Sequence, residues 1–393
     1  MNSTSLKIDN ISNSYEIRKT ILFGFVIRLS VLLFMLLFAV KWTEPYFISD
    51  DIMYEGLAEK YLRYADSLID INLISSLSAS FLQPFWPWVI CILSGLFRTI
   101  YASRFLNIIL STLCIKLVYK LVLNISTNKQ TALMASKLFA YLPVTVITCC
   151  FPIKDIYLTF AVLYCFNLFV ELQSNKQIKI RRVIYCAALM VGIYFTRGAV
   201  TELMLIFLAV YVIQRFARVR NYFAVIFSLV LFGIIAYIFK DSVMDTFRQK
   251  VEDYSDYALI EGGSIVRMRN LTELYKMPLS YFFATLQPMK LNLLALGNSS
   301  WWLTVISYLN ISIYPVAIGN FFYIFSKKKN LFFWLSTLIM YCAIIFLVLG
   351  VFRHYLFLIP IEMINFALYK EQHENNMIFV WIASFFPLLI ALI

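Results

Sequence analysis

Charge is scarce in this chain. Only 14% of its 393 residues are Asp, Glu, Lys or Arg, against 61% hydrophobic and 17% aromatic. So few charges cannot clothe a water-soluble globule of this size, and that class is excluded. Histidine is scarcer still: two in the whole chain, which argues against a His-rich metal site. The seven cysteines (91, 114, 149, 150, 165, 186 and 342) sit in or at the ends of apolar segments without paired loop spacing, and read as small buried hydrophobes. No internal repeat, low-complexity stretch or terminal soluble domain is expected. The first twenty residues lack a small-residue cleavage site, and the apolar run after them is too long for a signal-peptide core. Residues 21–40 are therefore expected to be a retained first span.

What the chain does have is repeated apolar runs of about 18–22 residues, the length a membrane-spanning helix needs. Irregular backbone cannot face lipid, so the expected fold is an all-α polytopic membrane bundle. The runs number about eleven: 21–40, 102–123, 131–150, 156–172, 183–197, 199–214, 222–239, 302–325, 331–350, 354–369 and 377–393. With the N-terminus in the cytoplasm, Arg18 and Lys19, Lys129, Lys176 to Arg182, Arg215 to Arg220 and Lys327 to Lys329 all fall on the inner side. The net charge of +12 thus belongs to cytoplasmic loops of a plasma (inner) membrane protein, with no nucleic acid implied.

This topology requires 84–100 to be a re-entrant or interfacial helix, because a full crossing would reverse every later loop. Pro84 and Pro87 near its start fit that reading. The whole chain is one transmembrane domain. Its first extracytoplasmic loop, 41–101, carries amphipathic and re-entrant helices, and a second long one runs over 240–301. Trp42, Tyr46, Phe47, Trp86, Trp88, Trp301 and Trp302 read as interfacial anchors.

The most informative stretch follows the first span: Ser49-Asp50-Asp51-Ile52-Met53-Tyr54-Glu55-Gly56-Leu57-Ala58. Adjacent carboxylates at the mouth of a membrane bundle are costly beside low dielectric and mark a functional site. The spacing predicts a helix with Tyr54, Leu57, Ala58 and Tyr61 on one face, and with Glu55, Glu59 and Arg63 projecting elsewhere. Asp50 would cap it and Asp51 would sit near its positive end. Other polar groups fall at expected outer turns: Lys154 and Asp155, Arg197, and Arg353 with His354. Each can also be read as an ion pair at a helix end or as a snorkelling side chain.

The Asp-acid-x-x-Tyr-x-x-x-Ala pattern after the first span resembles the GT-C superfamily of polyprenyl-phosphate-sugar-dependent glycosyltransferases. The nearest branch includes protein O-mannosyltransferases and the lipid A aminoarabinose transferase. Further stretches agree in order: Gln83-Pro84-Phe85-Trp86-Pro87, then Ala102-Ser103-Arg104-Phe105-Leu106-Asn107, then Pro152-x-Lys154-Asp155, and finally Arg353-His354-Tyr355-Leu356-x-x-x-Pro360. The resemblance implies a GT-C-like bundle with Asp50 as the catalytic carboxylate and Asp51 as its acidic neighbour. Tyr54, Lys154, Asp155, Arg197, Arg353 and His354 would bind substrate or phosphate. Two departures stand out. Relatives carry two metal-contacting acids where this chain offers Asp155 alone, so no metal ligand set is assigned and a divalent metal is only an option. Gln83 replaces a residue that is often basic.

The implied activity is inverting transfer of a sugar from a polyprenyl-phosphate or diphosphate carrier to a glycan, lipid or protein acceptor on the outer face. A carboxylate can serve as base for the acceptor hydroxyl, and arginine or lysine can hold the departing phosphate. Two other classes compete. An O-antigen or capsule-type polymerase would rely on arginines of the long loop rather than Asp50. A lipid-linked sugar flippase would show inverted repeats and mid-span charges.

Overall fold

In the computed structural model, the residues described are 2–38, 49–79, 81, 83–173, 178–197, parts of 200–211, 311–326, parts of 330–337, 356–373 and parts of 377–382. The expected span at 222–239, most of those at 331–350 and 377–393, and the loop over 240–301 lie outside them. So do Trp42, Tyr46, Phe47, Trp301 and Trp302.

Among the described residues all regular structure is helical. Three helical stretches are long and apolar enough to cross a bilayer: Ser14–Leu37, Ala102–Ser126 and Asp155–Gln173. The chain is a helical, membrane-embedded protein.

The first of these lies in α1 (Asn2–Phe38), whose buried positions Thr20, Gly24, Arg28, Leu32 and Met35 recur at near-fourfold spacing along one stripe. Leu22, Phe23, Val26, Leu33, Phe34 and Leu37 face outward, as the surface of a lipid-facing helix requires. Helices α5 (Ala102–Ser126) and α8 (Asp155–Gln173) pack together at the centre, and α1 and α9 (Ile180–Thr196) flank them. Asn167 on α8 donates to the Leu117 carbonyl of α5 at 3.0 Å, which ties the two across an otherwise apolar contact.

Three further helices occupy the segment between α1 and α5: α2 (Ser49–Tyr64), α3 (Ile71–Ser78) and α4 (Phe85–Phe97). With 13 residues, α4 is about 20 Å long, short of the ~30 Å hydrocarbon core. It packs on α5 and α9 and carries α2 and α3 on its other side. Asp70 caps α3 by accepting from the Leu73 amide at 3.0 Å, and Trp88 on α4 donates to Ser78 at the end of α3 at 2.8 Å. Gly95 lets the α2–α3 connection lie directly on α4, because a Cβ there would overlap the Leu68 carbonyl.

The stretch 131–150, expected to form one span, is instead two helices. The first, α6 (Lys129–Tyr141), stops at Leu142, which is extended, and α7 (Pro143–Thr148) restarts with proline at its first position. Proline cannot donate to the preceding turn, so α6 leaves carbonyls unsatisfied inside the protein. Arg28 supplies the donors. Its guanidinium reaches the carbonyls of Ala140 at 2.8 Å and Phe139 at 3.0 Å, as well as Gly24 at 3.0 Å and the Ser111 hydroxyl at 2.9 Å. Thr145 adds a second donor to Phe139, at 2.7 Å. A cation at a helix C-terminus is also favoured by the helix dipole.

Two further helices are α10 (Tyr314–Phe325) and α11 (Ile359–Gln372). The latter begins five residues later than the expected 354, with Pro360 in its first turn. It is buried on every side over Ile359 to Tyr369 and packs against α10, α6 and α5. Asn365 donates to Asn320 of α10 at 2.8 Å.

Candidate active site

The local structure around the acidic stretch begins with α2. Its buried stripe is Tyr54, Leu57, Ala58 and Tyr61, the spacing expected from sequence. Asp50 and Asp51 lie in the first turn of this helix. Tyr54 stacks with Phe81, ring centroids 6.4 Å apart. The Tyr61 hydroxyl accepts from the Asp70 amide at 2.8 Å and fixes the chain leaving α2.

Glu55 departs from expectation. It does not project away from the bundle but is 6% exposed, facing Arg104 of α5. Nε of Arg104 donates to Glu55 Oε1 at 2.6 Å, and Nη2 lies 2.5 Å from the same oxygen. Burial makes this pair costly to break and informative about position, since each charge requires the other.

The second part of the site is the turn between α7 and α8. Arg104 Nη1 donates to the Cys150 carbonyl at 2.8 Å, with its guanidinium 5.8 Å from the Phe151 ring centroid. Asn107 donates to the carbonyls of Phe151 at 2.7 Å and Ile153 at 2.9 Å, and Trp86 Nε1 donates to that of Pro152 at 2.8 Å. Four consecutive carbonyls are thus held by side chains of α4 and α5. A buried turn has to find such partners for its backbone, and these explain why it keeps one shape.

That shape presents Lys154 and Asp155. Lys154 Nζ donates to Gln83 Oε1 at 2.8 Å, so Gln83 orients the lysine. Asp155 opens α8, where a carboxylate is favoured by the helix N-terminus. Its Oδ1 is 3.2 Å from Arg197 Nη1 at the end of α9, and both side chains are largely buried. Comparison with protein-family models finds no match, and comparisons with curated proteins and with solved structures find none either.

Among the candidate residues, the structure therefore joins Asp155 to Arg197 and sets Lys154 beside them on the same turn. Tyr54 is placed one helical turn after Asp50, on the helix whose Glu55 grips that turn through Arg104. Arg353 and His354 lie outside the described residues. The single acid of the turn, Asp155, is flanked by Lys154 and faced by Arg197, so its charge is already met by a guanidinium. Among the described residues no three His, Cys, Asp or Glu side chains cluster as metal ligands would.

Sequence reasoning missed two groups. Arg28 was hidden inside a long apolar run, although a charge in a span is itself a signal. Glu55 lies inward of the face its spacing predicts, and the sequence cue for this is a cation, Arg104, in a later helix.

Proposed function

We propose that the chain is a membrane glycosyltransferase of the GT-C type. It transfers a sugar from a polyprenyl-phosphate or diphosphate carrier to a glycan, lipid or protein acceptor, with inversion, on the extracytoplasmic face of the plasma (inner) membrane. The observation that supports this reading is the joining of four separate sequence stretches. The acidic helix, the Gln83 to Pro87 segment, the Arg104 and Asn107 pair of α5 and the turn of Lys154 and Asp155 are linked by direct side-chain contacts.

In this reading Asp50 takes the proton of the acceptor hydroxyl as its oxygen attacks the anomeric carbon. The bond from that carbon to the phosphate oxygen breaks, and the polyprenyl phosphate leaves as an anion. Asp51 raises the basicity of Asp50 by like-charge proximity. Lys154, Arg197, Arg353 and His354 supply cationic hydrogen-bond donors to the departing phosphate, with Tyr54 and Asp155 shaping the substrate pocket. The proposal includes about eleven spans, a cytoplasmic N-terminus and outer loops at 41–101 and 240–301.

The deciding experiment is a glycosyl-transfer assay of the purified full chain with a panel of polyprenyl-phosphate sugars, alongside Asp50→Asn. A sugar transferred by the wild type and not by Asp50→Asn is the expected result. Full activity in Asp50→Asn, or Asp50 mapped to the cytosolic side, overturns the proposal.

A further inference from the structure

A second polar region lies far along α5 from the candidate active site. Glu171 near the end of α8 forms an ion pair with Arg182 in the first turn of α9, and Asn124 of α5 donates to the same carboxylate at 3.4 Å. Lys116 and Lys120, four residues apart on α5, both point to the exterior. The charges of Lys116, Arg182 and Glu171 all act on Lys120. Glu171 is therefore the acid nearest this cluster, and Arg182 already pairs with it.

Exposed lysines in the second half of a membrane-spanning helix require a physical reason. From Ala102 to Lys120 the helix rises about 27 Å, close to the thickness of the hydrocarbon core. Lys120 then stands at headgroup level when Ala102 is at the opposite boundary, and Lys116, about 6 Å deeper, can reach the same level along its flexible stem. Above the lysines, Leu113, Ile109 and Phe105 continue the exposed face at fourfold spacing and are 43%, 50% and 39% exposed. The same helix face thus offers an apolar rail that ends in two exposed lysines. That is the complement of a lipid whose acyl chains lie on the rail and whose phosphate carries net negative charge.

We infer that the face of α5 formed by Phe105, Ile109, Leu113, Lys116 and Lys120, next to Arg182 of α9, is a binding site for an anionic phospholipid. The site is independent of the proposed glycosyl transfer. Its occupant relieves the mutual repulsion of the three cations and holds the ends of α5, α8 and α9 together.

The test uses the full chain in detergent, titrated with phosphatidylglycerol, phosphatidylcholine or inorganic phosphate, with thermal unfolding and native mass spectrometry as readouts. Phosphatidylglycerol alone should raise the unfolding temperature and stay bound. Lys116→Gln with Lys120→Gln should weaken that retention about tenfold or more, since each basic residue contributes on the order of 1 kcal/mol near an anionic headgroup. Lys116→Arg with Lys120→Arg should keep it. Should the double glutamine variant fail to fold, each single variant should show a partial loss. An equal response to phosphatidylcholine or to inorganic phosphate overturns the inference. Undiminished phosphatidylglycerol retention in the glutamine variants does so too.

Discussion

Arg104 holds Glu55 with two guanidinium nitrogens on one carboxylate oxygen, at 2.5 and 2.6 Å, while its third nitrogen binds the Cys150 carbonyl. One side chain thereby couples the helix of Asp50 and Asp51 to the turn of Lys154 and Asp155. Glu55→Ala is expected to destabilise the protein by about 3 kcal/mol, because it strands a buried guanidinium. Glu55→Leu combined with Arg104→Met should recover much of that loss, and the coupling is read from a double-mutant cycle of unfolding in detergent. Additive losses would show that the two charges act separately.

Arg28 should tolerate no simple replacement. It serves three backbone carbonyls and one hydroxyl on α1, α5 and α6. Arg28→Met is expected to cost about 3 kcal/mol, since the Ala140 carbonyl loses its Arg28 donor in the interior and Phe139 keeps only Thr145. Arg28→Lys should rescue little, because an ammonium lacks the planar fork that spans these partners. Comparing unfolding midpoints of the two variants checks this.

Gly95→Ala meets backbone rather than a movable side chain, namely the Leu68 carbonyl. A loss of about 1–3 kcal/mol is expected. Hydrogen exchange should locate the loosening in residues 65–70 and the start of α3, with α8 unchanged.

Lys154→Gln separates binding from folding. It removes the charge but keeps an amide that can still donate to Gln83, so the stability cost should be about 1 kcal/mol. Under the proposed reaction the donor KM should rise several-fold, with kcat less affected. Unchanged donor kinetics would remove Lys154 from the phosphate site.

The buried face of α2 was readable in the sequence because four residues at 3/4 spacing need nothing beyond helix geometry. Glu55 was not, because it sits 100° from Tyr54 at the edge of that stripe. Only a cation on α5, 49 residues away, draws it inward. The break at Leu142 was signalled by Pro143, but an apolar run of span length outweighed it. The spans at 102–123 and 156–172 were placed within a few residues of α5 and α8, as strong hydropathy allows. The turn over residues 150–153 shows the limit of local reading. Nothing in its own sequence tells that its carbonyls are held by Arg104, Asn107 and Trp86.

The interruption at Leu142 also has a mechanical side. An unbroken helix over residues 129–148 would reach about 30 Å in a straight line. By breaking at Leu142, with Arg28 bound to the carbonyls there, the chain is free to set its next turn against Trp86 of α4 and against Arg104 and Asn107 of α5. Straightening it, as Pro143→Ala would encourage, should pull Lys154 out of register with Gln83 while leaving both residues intact.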